Sequence, residues 1–297
     1  MCNSPTLKTL SLFPVCLGLL ASPLQAFDWH GTVDSDFAKA DNWRLPDASN
    51  EPPSAGVENK EVLNIINGDG APLYYTEKEG ETTFVEQLRI GIKGCPGAAL
   101  QVSGGHLTVK QAGMAIIGQV GPGTLEITGG TLELLGGFKD SGMEDQETTW
   151  SLYLGNEPTG NGTITISGGK MILEWGIEVG RRSGTGLITI SGNGSVTAGG
   201  PTSFGEGEPS KKIVIGQGSG VFEQVANGNI TFAPDSPDAW ISFTKGSHGK
   251  LSLKGKDKKY FDGLVAAGRI RIDDSVAAPT AFVFSKNGDQ GEYHLAP

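Results

Sequence analysis

A tandem motif constrains the fold of this chain more than any other feature. LRIG, AIIG, LYLG, IEVG and IVIG recur along its middle, each followed by a second signature: VSGG, ITGG, ISGG, ISGN and VANG. The glycines closing the first signature are Gly91, Gly118, Gly155, Gly180 and Gly216, spaced 27, 37, 25 and 36 residues apart. From first to second signature the distances are 13, 11, 13, 12 and 11. From the second signature to the next first one they are 14, 26, 12 and 24. Self-similarity at this period predicts a stacked array in place of a single globular core.

Each unit carries three short runs in which apolar and polar residues alternate. In the third unit they are SLYLG, GTITIS and KMILEW. Alternation over four to six residues between glycines predicts half-buried strands. Ile164 and Ile166 then point inward, and Thr163, Thr165 and Ser167 outward. Three strands per coil with glycine at the corners, where the chain turns with φ > 0, give an all-β fold. The expected architecture is a single-stranded parallel β-solenoid (β-helix) of about five to six coils, right-handed by the general crossover rule. Five rungs at the usual strand spacing make a core about 24 Å long.

GPGTLEITGGTLEL, GNGTITISGGKMIL and GTGLITISGNGSVTAGG resemble the autotransporter and PEP-CTERM-associated β-solenoid repeat of bacterial secreted surface proteins. The resemblance covers about half of the chain. It implies a structural spacer with capped ends, and no particular chemistry.

The predicted organisation is a signal peptide at 1–26, an N-terminal cap at 27–84, solenoid repeats at 85–232, and an irregular last rung with a C-terminal cap at 233–297. LSLFPVCLGLLA, with Lys8 the only charge before it and LQA preceding Phe27, reads as a secretory leader cleaved after Ala26. It is too short to span a bilayer. Cys16 does not sit as a lipoprotein cysteine would. The expected address is therefore secreted, either extracellular or on the cell surface. Without the leader, Cys95 stands alone, leaving no internal disulfide and no partnered base for a catalytic thiol.

The whole chain has 23 basic and 33 acidic residues, a net charge of −10. That balance argues against nucleic acid and anionic membranes as partners. Glycine, 46 residues, is about twice its usual share and follows the repeat, marking corners.

Both ends of a solenoid need covering. Trp29, Phe37 and Trp43 are expected over the first coil. Asp34, Asp36 and Asp41 lack the glycine and distal glutamate of a calcium loop. At the far end Ala239–Leu253 is expected to add one irregular rung. Arg269, Arg271, Asp273 and Asp274 read as surface ion pairs.

Units two and four carry extra segments, 136–150 and 199–212, expected to leave one corner of the coil two rungs apart. Such insertions gather on a binding face. Glu174 and Trp175, at the same corner of the unit between them, form the floor of a candidate sugar groove. Phe138, Trp150 and Phe204 form its walls, and Asp140, Glu144, Asp145, Glu147, Glu206 and Glu208 its rim. The expected partner is extracellular polysaccharide or another surface protein. The same features also fit solvated loops with Trp175 as a corner plug.

Hydrolysis of a glycoside needs two carboxylates about 5–10 Å apart. Glu174 and Glu178 are the nearest pair, but they flank a corner and face different sheets. Arg181 and Arg182 have no aspartate near them in sequence, as a calcium-dependent lyase site would need. No catalytic constellation meets the geometric criteria, and no cofactor is implied. His30, His106, His248 and His294 lack metal-ligand spacing. A threonine-rich face, Thr124, Thr128, Thr163, Thr165 and Thr189, offers a third option, templating of ordered water. Glu126 and Leu187 interrupt it, and threonine is in any case a good strand residue.

Overall fold

In a computed structural model of the chain, alternation becomes three parallel sheets wound around one apolar core. The structure describes residues 25–29, 43–44, 61–65, 73–75, 82–85, 87–92, 98–110, 115–136, 138–139, 149–207, 210–226 and 228–297. Sheet A stacks Glu61–Ile65, Gln87–Ile90, Ala115–Ile117, Thr149–Leu154, Gly176–Val179, Thr202–Phe204 and Ile230–Phe232. Sheet B stacks Leu73–Tyr75, Ala98–Val102, Pro122–Ile127, Asn161–Ile166, Thr185–Gly192, Lys211–Gly218 and Ala239–Phe243. Sheet C stacks Thr82–Val85, His106–Val109, Thr131–Leu134, Lys170–Leu173, Ser195–Ala198, Val221–Gln224 and Lys250–Lys254. Taken in order A, B, C, these strands are coils 1 to 7 of a β-solenoid of about six turns. Six strand spacings span about 29 Å.

Register carries the core from coil to coil. In sheet A, Ile90, Ile117, Leu154, Val179 and Phe204 lie in one column. In sheet B the column is Val102, Ile127, Ile166, Ile190, Ile215 and Phe243. In sheet C it is Leu107, Leu132, Met171, Val196, Phe222 and Leu251. All of these side chains are buried. Each buried side chain of this size contributes about 1.5–3 kcal/mol, so the columns are the main stabilising element.

The corner from sheet A to sheet B explains the first signature. Gly91, Gly118, Gly155 and Gly180 stand there with φ of 73, 73, 69 and 70°. A Cβ at Gly118 would lie 2.4 Å from the backbone of Asn161 in the next coil. Glycine is thus demanded twice, by backbone conformation and by contact between rungs.

The fifth unit is phased differently from the sequence expectation. IVIG lies in sheet B, in register with LITIS of coil 5: Ile213 opposite Ile188 and Ile215 opposite Ile190. Gly216 is not among the glycines with positive φ. The sheet A rung of coil 6 is Thr202–Phe204, inside the segment read as an insertion. Ladder pairing also extends beyond 85–232 on both sides. Coil 1 begins at Glu61, and Ala239–Phe243 and Lys250–Lys254 complete a regular coil 7.

At the N-terminal end, Gln25–Trp29 pairs in parallel with Glu61–Ile65 and antiparallel with Trp43–Arg44, setting Trp29 opposite Trp43. That strand begins two residues before the predicted cleavage point. Phe37, Asp34, Asp36, Asp41, His30, Cys16 and Cys95 lie outside the described residues.

The far end is closed by helix α1 (Lys258–Ala266), the hairpin of Ile270–Ile272 with Ser275–Val276, and the hairpin of Phe282–Asn287 with Gln290–Leu295. Asp257 caps α1 by accepting from the Tyr260 N–H. Phe261 and Val265 turn inward. Phe261 stacks on Tyr293 with centroids 5.0 Å apart, and Tyr293 on Phe282 at 4.8 Å. The aliphatic columns therefore end in an aromatic plug.

Candidate functional site

The corner between sheets C and A was the expected binding face. At coil 4 it is made by Glu174 and Trp175, between Lys170–Leu173 and Gly176–Val179. The Glu174 N–H donates to the Leu134 carbonyl at 2.9 Å, and the Trp175 N–H to Ser151 Oγ at 3.0 Å. With its backbone held, Trp175 is left 41% exposed and Glu174 projects beside it into solvent. Trp150 is half-buried because its ring covers Gly176, where a Cβ would fall 2.8 Å from the indole. Phe138 pairs antiparallel with Trp150 through the backbone. Trp150, Glu174, Trp175 and the backbone of Phe138 thus share one corner.

Phe204 does not join them. It is fully buried and stacks on Phe232 with centroids 4.7 Å apart. The reason is the phasing above: 202–204 is a rung, so alternation sends Phe204 into the core. Glu206 follows it at the A-to-B corner, exposed, on a different edge of the coil. Asp140, Glu144, Asp145, Glu147 and Glu208 lie outside the described residues. On the next coil the C-to-A corner carries only Gly199, Gly200 and Pro201. A Cβ at Gly199 would meet the Glu174 carbonyl oxygen at 2.0 Å, so close stacking accounts for these glycines.

Glu174 and Glu178 stand on either side of the corner, Glu178 within sheet A. The Arg181 guanidinium lies 3.6 Å from the Glu178 carboxylate. It also covers the ring of Tyr153 at 4.5 Å, and Arg181 is 3.5 Å from Asn156 Oδ1. Arg182 pairs with Glu157 of the preceding coil at 3.0 Å. Arg182 and Ser183 sit at φ of 47 and 65°, a conformation that costs non-glycine residues energy. This group forms a polar cluster on sheet A and its A-to-B corner, of which the sequence expectation named only Glu178, Arg181 and Arg182. Tyr153 carried no warning, since its outward position in LYLG predicts exposure, yet it is fully buried. Its charges are matched within the cluster, which favours a structural joint over a reactive centre.

Elsewhere, His106 contacts Glu133 of the next coil at 3.0 Å. In sheet B, Thr124 is in register with Thr163, and Thr165 with Thr189, with Glu126 and Leu187 in the same columns. Among the described residues no group of three His, Cys, Asp or Glu side chains is placed to hold a metal ion, and no helix is long and apolar enough to cross a membrane.

No protein-family model matches this chain, and neither the curated proteins nor the solved structures yield a match.

Proposed function

We propose that this chain is an exported, non-catalytic β-solenoid that serves as a structural or adhesive rod at a bacterial cell surface or in the extracellular matrix. The observation carrying this reading is where the charged side chains go. His106–Glu133 and Arg182–Glu157 join adjacent coils, while Lys212–Asp274 and Lys250–Glu292 join coils 6 and 7 to the cap. These contacts, three ion pairs and the His106–Glu133 hydrogen bond, run along the stack and add to the backbone ladders that hold coil to coil. The apolar leader supports export, and the resemblance of GPGTLEITGGTLEL and its kin to the repeats of bacterial surface proteins supports a place at the surface. The test is fractionation of bacteria producing the full chain or a form lacking residues 1–26, followed by a surface-attachment assay. Export that depends on the leader, with attachment lost in its absence, supports the reading. Retention of the full chain in the cytoplasm refutes it.

Trp175 favours a second reading, a carbohydrate-binding surface. An exposed indole beside an exposed carboxylate offers a sugar ring a stacking face and a hydrogen-bond acceptor. A polysaccharide array with Trp175→Ala as control decides it: binding lost in the variant establishes the corner as a sugar site, and absence of binding leaves the rod alone.

A further inference from the structure

The three sheets end differently at the C-terminal cap, and the difference singles out one edge. A sheet edge offers unpaired N–H and C=O groups to any other strand, and proteins usually block it. Sheet A ends at Ile230–Phe232, where the Tyr260 hydroxyl occupies both backbone groups of Ile230. Sheet B ends at Ser275–Val276, a strand of only two residues. Sheet C ends at Phe282–Asn287, six residues long, with no strand beyond it among the described residues.

The free groups on that edge are identifiable. The Ala296 N–H donates to the Ala281 carbonyl, so Ala281 and Ala296 are a bonded pair. Bonded and non-bonded pairs alternate along an antiparallel ladder. Val283, Ser285 and Asn287 therefore bond inward to His294, Glu292 and Gln290. The backbone groups of Phe284 and Lys286, and the Phe282 carbonyl, face away from the sheet. The Phe282 N–H is already taken by the Pro279 carbonyl.

We infer that this edge pairs antiparallel with the same edge of a second copy, joining two rods tail to tail about a twofold axis at Phe284. An antiparallel strand is self-complementary under a twofold. In this register the Phe284 N–H bonds to the partner copy's Phe284 carbonyl, and the Lys286 N–H to its Phe282 carbonyl. Every donor used is one the monomer leaves free, and the one already engaged is not required. The half-buried ring of Phe284 meets its own copy, and Val283, 37% exposed, is covered. Charge selects the same end. Residues 254–297 hold seven basic and six acidic side chains, whereas the remaining 253 residues carry a net charge of −11. Two copies approaching by their caps, where the net charge is near zero, meet less repulsion than two copies approaching by the acidic remainder of the chain.

The test is the mass of the full chain in solution at micromolar concentrations, by light scattering and sedimentation. Hydrogen exchange of the 282–287 segment is followed across the same concentrations. The expected result is a dimer whose 282–287 amides become protected as it forms. Lys286→Pro removes an outward N–H and leaves the Gln290–Leu295 ladder intact; it should give monomers that melt where the parent melts once diluted to monomer. A wild-type chain that stays monomeric overturns the inference. So does a dimer in which 282–287 exchanges as freely as in the monomer.

Discussion

The hydroxyl of Tyr260 accepts a hydrogen bond from the Ile230 N–H at 3.1 Å and donates one to the Ile230 carbonyl at 3.3 Å. One side chain thereby does for Ile230, at the edge of sheet A, what a further strand would do. The helix places it there: Asp257 fixes the start of α1, and Phe261, one residue on from Tyr260, anchors the helix in the core.

Tyr260→Phe keeps the ring and loses both bonds. It should lower stability by about 1–3 kcal/mol, the cost of stranding buried backbone groups. The measurement is urea denaturation together with hydrogen exchange of 230–232. Unaltered exchange there would show that solvent already serves this edge.

Lys211 is an inward residue of sheet B, fully buried, between Gly186 and Ala239 in its column. Those small neighbours make room for its stem, which packs over Gly180, where a Cβ would fall 2.4 Å from three of its methylenes. Its ammonium donates to the Gly207 carbonyl and so ties down the corner of coil 6. Lys211→Ala empties that space and should cost about 2–4 kcal/mol. Lys211→Met refills it and should lose far less. Equal losses in denaturation would assign the effect to the ammonium and not to the stem.

Coil 6 also marks where the sequence stopped being readable. Apolar alternation and paired glycines made the fold class legible, because each coil repeats the same inward positions and the same tight corners. The rung Thr202–Phe204 was hidden because it has three residues and one of its inward side chains is a threonine. Thr202 is buried against Gln224, whose Nε2 donates to its hydroxyl at 2.8 Å. That pairing spans 22 residues and leaves no local signature. IVIG then matched the first signature in letters while belonging to another sheet. Out of phase, the letters place Phe204 outside; in the rung it is inside. Glu174 and Trp175 were legible because a corner follows directly from where alternation ceases.

The two kinds of glycine in this chain should respond oppositely to alanine. Gly118 has φ of 73° and backbone of the next coil in the way. Gly118→Ala should cost at least about 2 kcal/mol, from the left-handed conformation and the clash together. Gly263 lies within α1, exposed, with nothing within 4 Å of a built Cβ. Gly263→Ala should stabilise the cap by about 0.5–1 kcal/mol through helix propensity. Thermal melts of the two variants against the parent check both signs. A destabilising Gly263→Ala would mean that the helix is held by something other than its own backbone.

Acid should release the cap before the coils. Partial burial works to raise the Asp274 carboxyl, but hydrogen bonds from Lys212, Trp240 and Ser242 outweigh it and hold the group below the usual range. Glu292 is lowered first by its bond from Lys250, against some desolvation. A carboxylate with a depressed folded pKa binds protons less readily folded than unfolded. Its stabilisation is therefore complete above the ordinary carboxylate pKa of about 4 and disappears as pH falls through the lowered folded value. Both groups tie the cap to coils 6 and 7, and Trp240 donates to Asp274 at 2.8 Å. On acidification below about pH 4, the near-ultraviolet signal of Trp240 should change before the far-ultraviolet β signal. Lys250→Met should bring that first change to higher pH. A single transition, with both signals moving together in parent and variant, would show that cap and coils unfold as one unit.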